Sequence, residues 1–360
     1  MSEHGKNTTA DEVIVIVQIG VTTAVGLDGL QTCASVRAGI SGFYELDWMD
    51  KVAHPFVAAF LPDDCLPPIS GRDRSEGLDD RAYRMLGLAQ MALEQIQGVE
   101  EAVPLILGWS EEEGPPCGAG PWLARLSDSS PVPIDTVNSR VFETGRASGL
   151  TALHHACKVL RAGQAEALLV GAVDTYKDLV LMGRLDRAAR IKSPANLDGF
   201  IPGEGAGFLL VTSLRNARVR QWPVICTVES TAVGFEEGHL FSEAPYRGEG
   251  LAATVDALLG AVPVHLDRPR CVFSSMNGEY YWAKEWGVAA VRCRDYLDPE
   301  ARFEHPADCF GDMGAACGPG MVALAAIGMQ KGYLPGPALV YGASDGGERA
   351  AALVARLEER

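Results

Sequence analysis

"TGRASGLTALHHACKVLRAG", residues 144–163, crowds small residues around a corner and then runs into an apolar-periodic stretch. The spacing predicts a helix over Ser148–Gly163, with Gly163 as its stop. The free N–H groups of such a helix's first turn favour negative charge nearby, so a corner of this kind suits a nucleophile. Arg146 stands there instead. A cation beside a helix N-terminus calls for an acidic partner.

Working outward, "EALLVGAVD" (Glu166–Asp174) and "GFLLVTS" (Gly207–Ser213) read as buried strands after that helix. Before it come the strand "VIVIVQIG" (13–20), an amphipathic helix over Leu78–Ile96 and the strand "AVPLILGW" (Ala102–Trp109). Beyond "RNARVRQWP" the pattern restarts: strand Val224–Phe235, helix Leu251–Val262, strand Cys271–Ser275, Gly-led helix Gly314–Gly332 and strand Ala338–Ser344. Such alternation implies an α/β fold with helices covering mixed sheets. It divides the chain into related halves, 1–215 and 216–360.

The 360 residues carry a formal net charge of −16, with 47% hydrophobic and 22% charged residues. That charge argues against nucleic acid or an anionic membrane as the main partner. Nine cysteines, with no C-x-x-C pair, suit reduced thiols in a cytoplasmic protein better than a disulfide framework or a zinc site. The run Val13–Leu27 is broken by Gln18, Thr22 and Thr23 well short of a membrane span, and the segment before it lacks a basic stretch. "GEGAG" (Gly203–Gly207) leads into "FLLVTS", not into a helix, and no G-K-[ST] follows, so no nucleotide is expected there. No metal or cofactor is expected.

Four stretches, "IGVTTAVGLDGLQTCASVRAGISGF", "TGRASGLTALHHACKVLRAGQAEALLVGAVD", "DGFIPGEGAGFLLV" and "FGDMGAACGPGMVALA", resemble those of β-ketoacyl-acyl-carrier-protein synthases of the thiolase superfamily, in order and spacing, over nearly the whole chain. The resemblance implies a thiolase-like five-layered αβαβα fold built from two related halves, normally a homodimer. It also implies a Cys-His-His set, the cysteine lying in a T-A-C-[AS]-S-G-like turn and the histidines in H-G-T-G-T-like and G-H-x-x-G-A-A-G-like turns. Here the cysteine position is Arg146. The first histidine loop meets "SSMNGEYYWAKEW" (Ser274–Trp286), with Asn277 and Glu279, and the second meets "FGDMGAACG". Counting back from Gly314 puts Gly311 at the histidine, with Asp312 beside it.

No neighbour replaces the missing set. Cys157 lies roughly 16 Å along the helix from Arg146, and His154 and His155 are similarly remote and read as one packed residue and one at an edge, not as metal ligands. Ser148 reads as a capping or packing residue, and Cys309 and Cys317 as small buried hydrophobes. Arg146 either faces solvent or plugs the old cleft by pairing with Glu279 or Asp312. Trp282 and Trp286, four apart, share a helix face and read as core, with an anchor for a partner or acyl-like ligand as the alternative.

Two functions compete. One is a catalytically degenerate, β-ketoacyl synthase-like structural, regulatory or adaptor subunit. The other is an acyl-transfer or decarboxylating enzyme on acyl-carrier-protein or coenzyme A thioesters with a rebuilt site. Expected partners are a second copy of the chain, an unidentified protein, or an acyl carrier protein.

Overall fold

The computed structural model describes residues 13–68, 78–111, 117–262 and 267–357; the segment before Val13, read above as lacking a basic stretch, lies outside the described residues. The strands are β1 (Ile14–Thr23), β2 (Tyr44–Met49), β3 (Pro55–Ala58), β4 (Leu105–Trp109), β5 (Arg140–Glu143) and β6 (Ala167–Thr175). They continue with β7 (Glu204–Ser213), β8 (Cys226–Phe235), β9 (Cys271–Ser274), β10 (Arg302–Glu304), β11 (Ala338–Ala343) and β12 (Glu348–Ala355). The helices are α1 (Gly29–Arg37), α2 (Asp80–Leu93), α3 (Ala119–Ser129), α4 (Ser148–Arg161) and α5 (Leu179–Arg187). After them come α6 (Leu214–Val219), α7 (Glu249–Gly260), α8 (Tyr280–Arg292), α9 (Ala307–Phe310) and α10 (Cys317–Gln330).

Among the described residues, ten strands form one sheet in the order β10-β9-β11-β12-β8-β1-β7-β6-β4-β5. Starting from β1, the series β1-β7-β6-β4-β5 is joined antiparallel, antiparallel, parallel, parallel. Starting from β8, the series β8-β12-β11-β9-β10 repeats that sequence of senses. The two series touch where Ile14–Ile16 of β1 run antiparallel to Cys226–Val228 of β8.

Helices α4 and α10 fill the space between the two series: α4 packs on β4 and β6 on one side and on β8 and β12 on the other, and α10 packs on β7, β11 and β12. Helix α2, with α3 beside it, covers the far face of the first series, and α7, with α8 beside it, covers that of the second. The result is an αβαβα stack. Residues Cys317–Met329 of α10 are buried on every side, which is why that stretch is apolar all round instead of striped. β6 is buried along its whole length because helices cover both faces, and its sequence is correspondingly a near-continuous apolar run.

Gly205 and Gly207 of "GEGAG" sit inside β7, which starts at Glu204, three residues earlier than the apolar pattern suggests. A Cβ on Gly205 would meet Met313 Sδ at 2.6 Å, and one on Gly207 would meet Pro319 Cβ at 2.9 Å, so the run is a bare strip on which the α10 corner rests. The central helices cross as tightly. A Cβ on Gly149 would lie 2.3 Å from Pro319 Cδ, and one on Gly318 would lie 3.0 Å from Leu150 Cγ. The Gly-led helix expected over Gly314–Gly332 is a 3-10 turn at Gly314–Ala316 followed by α10. Strand β12, which closes the second series, has no counterpart in the sequence reading.

Candidate functional site

Gly145 adopts φ = 57°, a left-handed conformation that costs glycine little, and opens the 3-10 turn Gly145–Ala147 before α4. The turn lies against Gly342 of β11, where a Cβ would come within 2.8 Å of the Arg146 carbonyl oxygen. Arg146 is therefore drawn inward, only 4% exposed. Its Nη1 donates to Asp312 Oδ2 at 2.9 Å, its Nε donates to the Ala343 carbonyl at 3.1 Å, and its Nη2 donates to Asp345 Oδ1. The guanidinium also lies over the Trp282 ring, 4.5 Å from the centroid. The plug reading holds over the solvent-facing one.

Asp312 follows Gly311, whose φ of 72° turns the chain after α9. Its Oδ1 accepts the Gly314 N–H at 2.8 Å, while Oδ2 accepts Asn277 Nδ2 at 2.8 Å besides Arg146. Gly311 itself contributes only backbone. The residue that reaches the corner is Asp312, and counting back from Gly318 through the G-H-x-x-G-A-A-G pattern would have found it.

Glu279 is not a direct partner of Arg146. It binds Arg190 through two nitrogens, Nε and Nη2, the second at 2.8 Å, and accepts from Trp282 Nε1 at 2.9 Å and Asn277 Nδ2 at 3.1 Å. Asp345, in the hairpin between β11 and β12, completes the cluster by bridging Arg146 and Arg190, with Arg190 Nη1 to Oδ2 at 2.9 Å. Two guanidinium groups thus meet three carboxylates, those of Asp312, Asp345 and Glu279. Neither Asp345 nor Arg190 stands out in the sequence. The one hint is "SDGGE" (344–348), an acid followed by two glycines in a turn between strands.

Burial opposes the charge on Arg146, but Asp345 and then Asp312 outweigh it and keep the group protonated. Burial likewise pushes the Asp345 carboxyl up, and Arg146 and Arg190 more than reverse this, holding it below the usual aspartate range. Glu111, just beyond β4, accepts the Gly346 N–H at 3.2 Å; burial, then Asp345, pushes its carboxyl up to about 7. The Cys317 thiol, 3.7 Å from Asp312 Oδ1, is driven well above its ordinary range by burial and then by that carboxylate, so it stays a thiol.

At the residue before α4 the Ala147 N–H donates to Ser344 Oγ at 2.8 Å. Ser148 is fully buried and caps nothing; its role is packing. His154 Nδ1 lies 3.0 Å from Thr231 Oγ1, and the His155 ring packs on Phe142, so the two rings face different neighbours. Cys157 and Cys309 are both buried. Trp286 stacks between Tyr341 and Phe303 as core, whereas Trp282 does more than fill space, since it forms a wall of the ion cluster. Tyr280 is exposed. No helix among the described residues is long and apolar enough to cross a membrane.

Residues 138–217, which include the Arg146 corner and the glycine strip of β7, match the beta-ketoacyl synthase N-terminal domain. A polyketide beta-ketoacyl synthase of Streptomyces halstedii is 30% identical over 140 residues, covering 35% of this chain and 32% of that protein. The 6-methylsalicylic acid synthase of Penicillium patulum is 30% identical over 102 residues, 26% of this chain and 6% of that one. The matched stretches span about a third or less of these relatives. Among solved structures, the ishigamide ketosynthase/chain length factor superposes with a TM-score of 0.78 at 15% identity, over 96% of this chain and 99% of that one. The oxazolomycin ketosynthase domain of Streptomyces albus gives 0.79 at 16% identity, over 97% and 76%. The chain has the thiolase-like ketosynthase fold. In this ketosynthase-like chain the corner that the resemblance gives to a cysteine is occupied by an arginine pinned between two carboxylates.

Proposed function

We propose that this ketosynthase-like chain is a non-catalytic subunit, structural or regulatory, in a polyketide- or fatty-acid-type assembly. The observation that carries the reading is the Arg146 guanidinium, buried at the corner of α4 and held by Asp312 and Asp345. A guanidinium stays protonated at neutral pH and has no lone pair to offer a thioester carbonyl. The two turns that the resemblance gives to the histidines hold none: the first carries Asn277 and the second Gly311 with Asp312 beside it, and Asn277 and Asp312 are tied into the same cluster. The acyl-transfer form of the rebuilt-enzyme alternative needs a nucleophile, and the thiol beside the cluster, Cys317, is buried and held protonated.

Two related halves, 1–215 and 216–360, are part of this proposal, supported by the repeated strand order and pairing senses. So is dimerisation, for which the open outer edge of β5 offers unpaired backbone groups. A solved relative described as a ketosynthase/chain length factor makes a mixed pair with an active ketosynthase the alternative to a homodimer. Light scattering at micromolar concentration should return twice the chain mass; a monomer would count against the homodimer.

The functional test is incubation with acyl- and malonyl-acyl-carrier-protein thioesters, followed by intact mass and product analysis. The expected result is no adduct on the chain and no carbon–carbon bond formation above a boiled control. An acyl adduct or a condensed product would overturn the reading.

A further inference from the structure

The hairpin Ser344–Gly347 closes over the Arg146 corner and is held from several sides. Ser344 Oγ takes the Ala147 N–H and donates to the Thr144 carbonyl, Asp345 bridges the two arginines, and the Gly347 carbonyl accepts the Glu236 N–H at 2.8 Å. A further tie comes from β4's end. Glu111 passes beneath Gly145, where a Cβ would come within 2.9 Å of its Cγ, and its Oε1 accepts the Gly346 N–H at 3.2 Å. A Cβ on Gly346 would likewise lie 3.3 Å from that oxygen. One carboxyl group thus sits between the turn that carries Arg146 and the loop that covers it.

We propose that Glu111 is a protonation-operated latch, which as the neutral acid holds the 344–347 loop against the Arg146 corner and on ionising releases it. The electrostatics around it are one-sided. Asp345 and Glu348, from the loop and the start of β12, oppose a charge on Glu111, as does burial; Arg146 and the Gly346 N–H favour it but are outweighed. Arg146 is already committed to Asp312 and Asp345. Among the described residues a second carboxylate charge on this side of Asp345 therefore has no free cation, and water entering with the loop open is its relief. The latch stands apart from the reading of the corner as non-catalytic, since it concerns loop opening and not turnover.

The sign follows from the protonation equilibrium. A carboxyl that ionises near 4.3 in water and at about 7 when the loop is closed favours opening as the pH climbs between those values, with no further change above about 7. Amide hydrogen exchange of the 343–347 segment, corrected for intrinsic pH dependence, should show protection falling roughly tenfold per pH unit between about 5 and 6.5, then levelling off. Glu111→Gln, which keeps the shape and cannot ionise, should hold the protection at its low-pH level throughout. His239, whose Nδ1 lies 3.1 Å from the Asp345 carbonyl oxygen, is the histidine touching this loop, and His239→Gln should keep the wild-type fall. The proposal is overturned if wild-type protection is flat across this range, if Glu111→Gln retains the fall, or if His239→Gln abolishes it.

Discussion

The starts of α4 and α10 are the same piece of backbone decorated in two ways. "GRASG" (145–149) and "GAACG" (314–318) each open with a left-handed glycine, φ 57° and 53°, pass through a 3-10 turn and enter a central helix. At the second corner Asp174 Oδ2 accepts the Ala315 N–H at 3.1 Å and Asp312 Oδ1 the Gly314 N–H at 2.8 Å, while Asp174 Oδ1 pairs with Arg81. There the acids serve the turn's backbone, and the side chain at the turn's middle position is a methyl. At the first corner the acids serve a side chain, and the backbone N–H turns to a serine hydroxyl. The fold demands the glycines and small residues at both corners; it does not demand Arg146, whose partners come from 166 and 199 residues away.

Removing the charged side chain at the first corner should have the largest effect. Arg146→Ala leaves Asp312, fully buried, without its guanidinium, and should cost about 3 to 5 kcal/mol in denaturant unfolding. A loss below about 1 kcal/mol would show that the cluster is as dispensable as the comparison of backbones allows.

The next effect depends on pH. Glu111 is neutral in both folded and unfolded chains at low pH, and its raised folded value means that the folded state resists ionisation as pH climbs toward about 7. Glu111→Gln should therefore match wild type near pH 4 and exceed it by about 2 to 3 kcal/mol at pH 8. Asp345 works the other way, its lowered carboxyl stabilising the fold above the usual aspartate range and losing that contribution as pH falls below it. Equal stability of Glu111→Gln and wild type at both pH values would remove Glu111 from the account of the first corner.

The smallest of the three probes what the corners share. Gly149→Ala places a methyl against Pro319 and should cost about 1 to 3 kcal/mol by overpacking. The matching change Gly318→Ala, facing Leu150 Cγ at 3.0 Å and Leu150 N at 3.1 Å, should cost less because these approaches are longer than the 2.3 Å at Gly149. If Gly318→Ala proved the more costly, the two crossings would not be equivalent.

The elements were legible because their signals are local: the apolar run of β6 and the small-residue corner before α4 each lie within a few residues, whereas the bare start of β7 at 204–206 has no apolar pattern and reads as a lead-in to the strand. The Arg146–Asp312 pair was legible because the resemblance brings those two turns together. Glu279, the alternative candidate for Arg146, pairs elsewhere for a reason the sequence hides. Its true partner, Arg190, sits 89 residues away in a segment without periodicity or motif, and nothing local marks a side chain as the second cation of a cluster. Asp345 was missed likewise, and β12 with it, because "GGERAAALVA" reads as small residues unless one knows that β8 and β11 wait on either side.

Helix α4 comes from the first part of the chain yet rests on β8 and β12 of the second, and α10 comes from the second part yet rests on β7 of the first. Each part of the chain thus lends a central helix to the other's strands. A chain cut between α6 and β8 would yield two fragments, each with an uncovered sheet face and an unsheltered helix. Such fragments should be insoluble when made separately and reassemble when co-expressed, so that mixing and matching with relatives would have to exchange the two central helices as a pair.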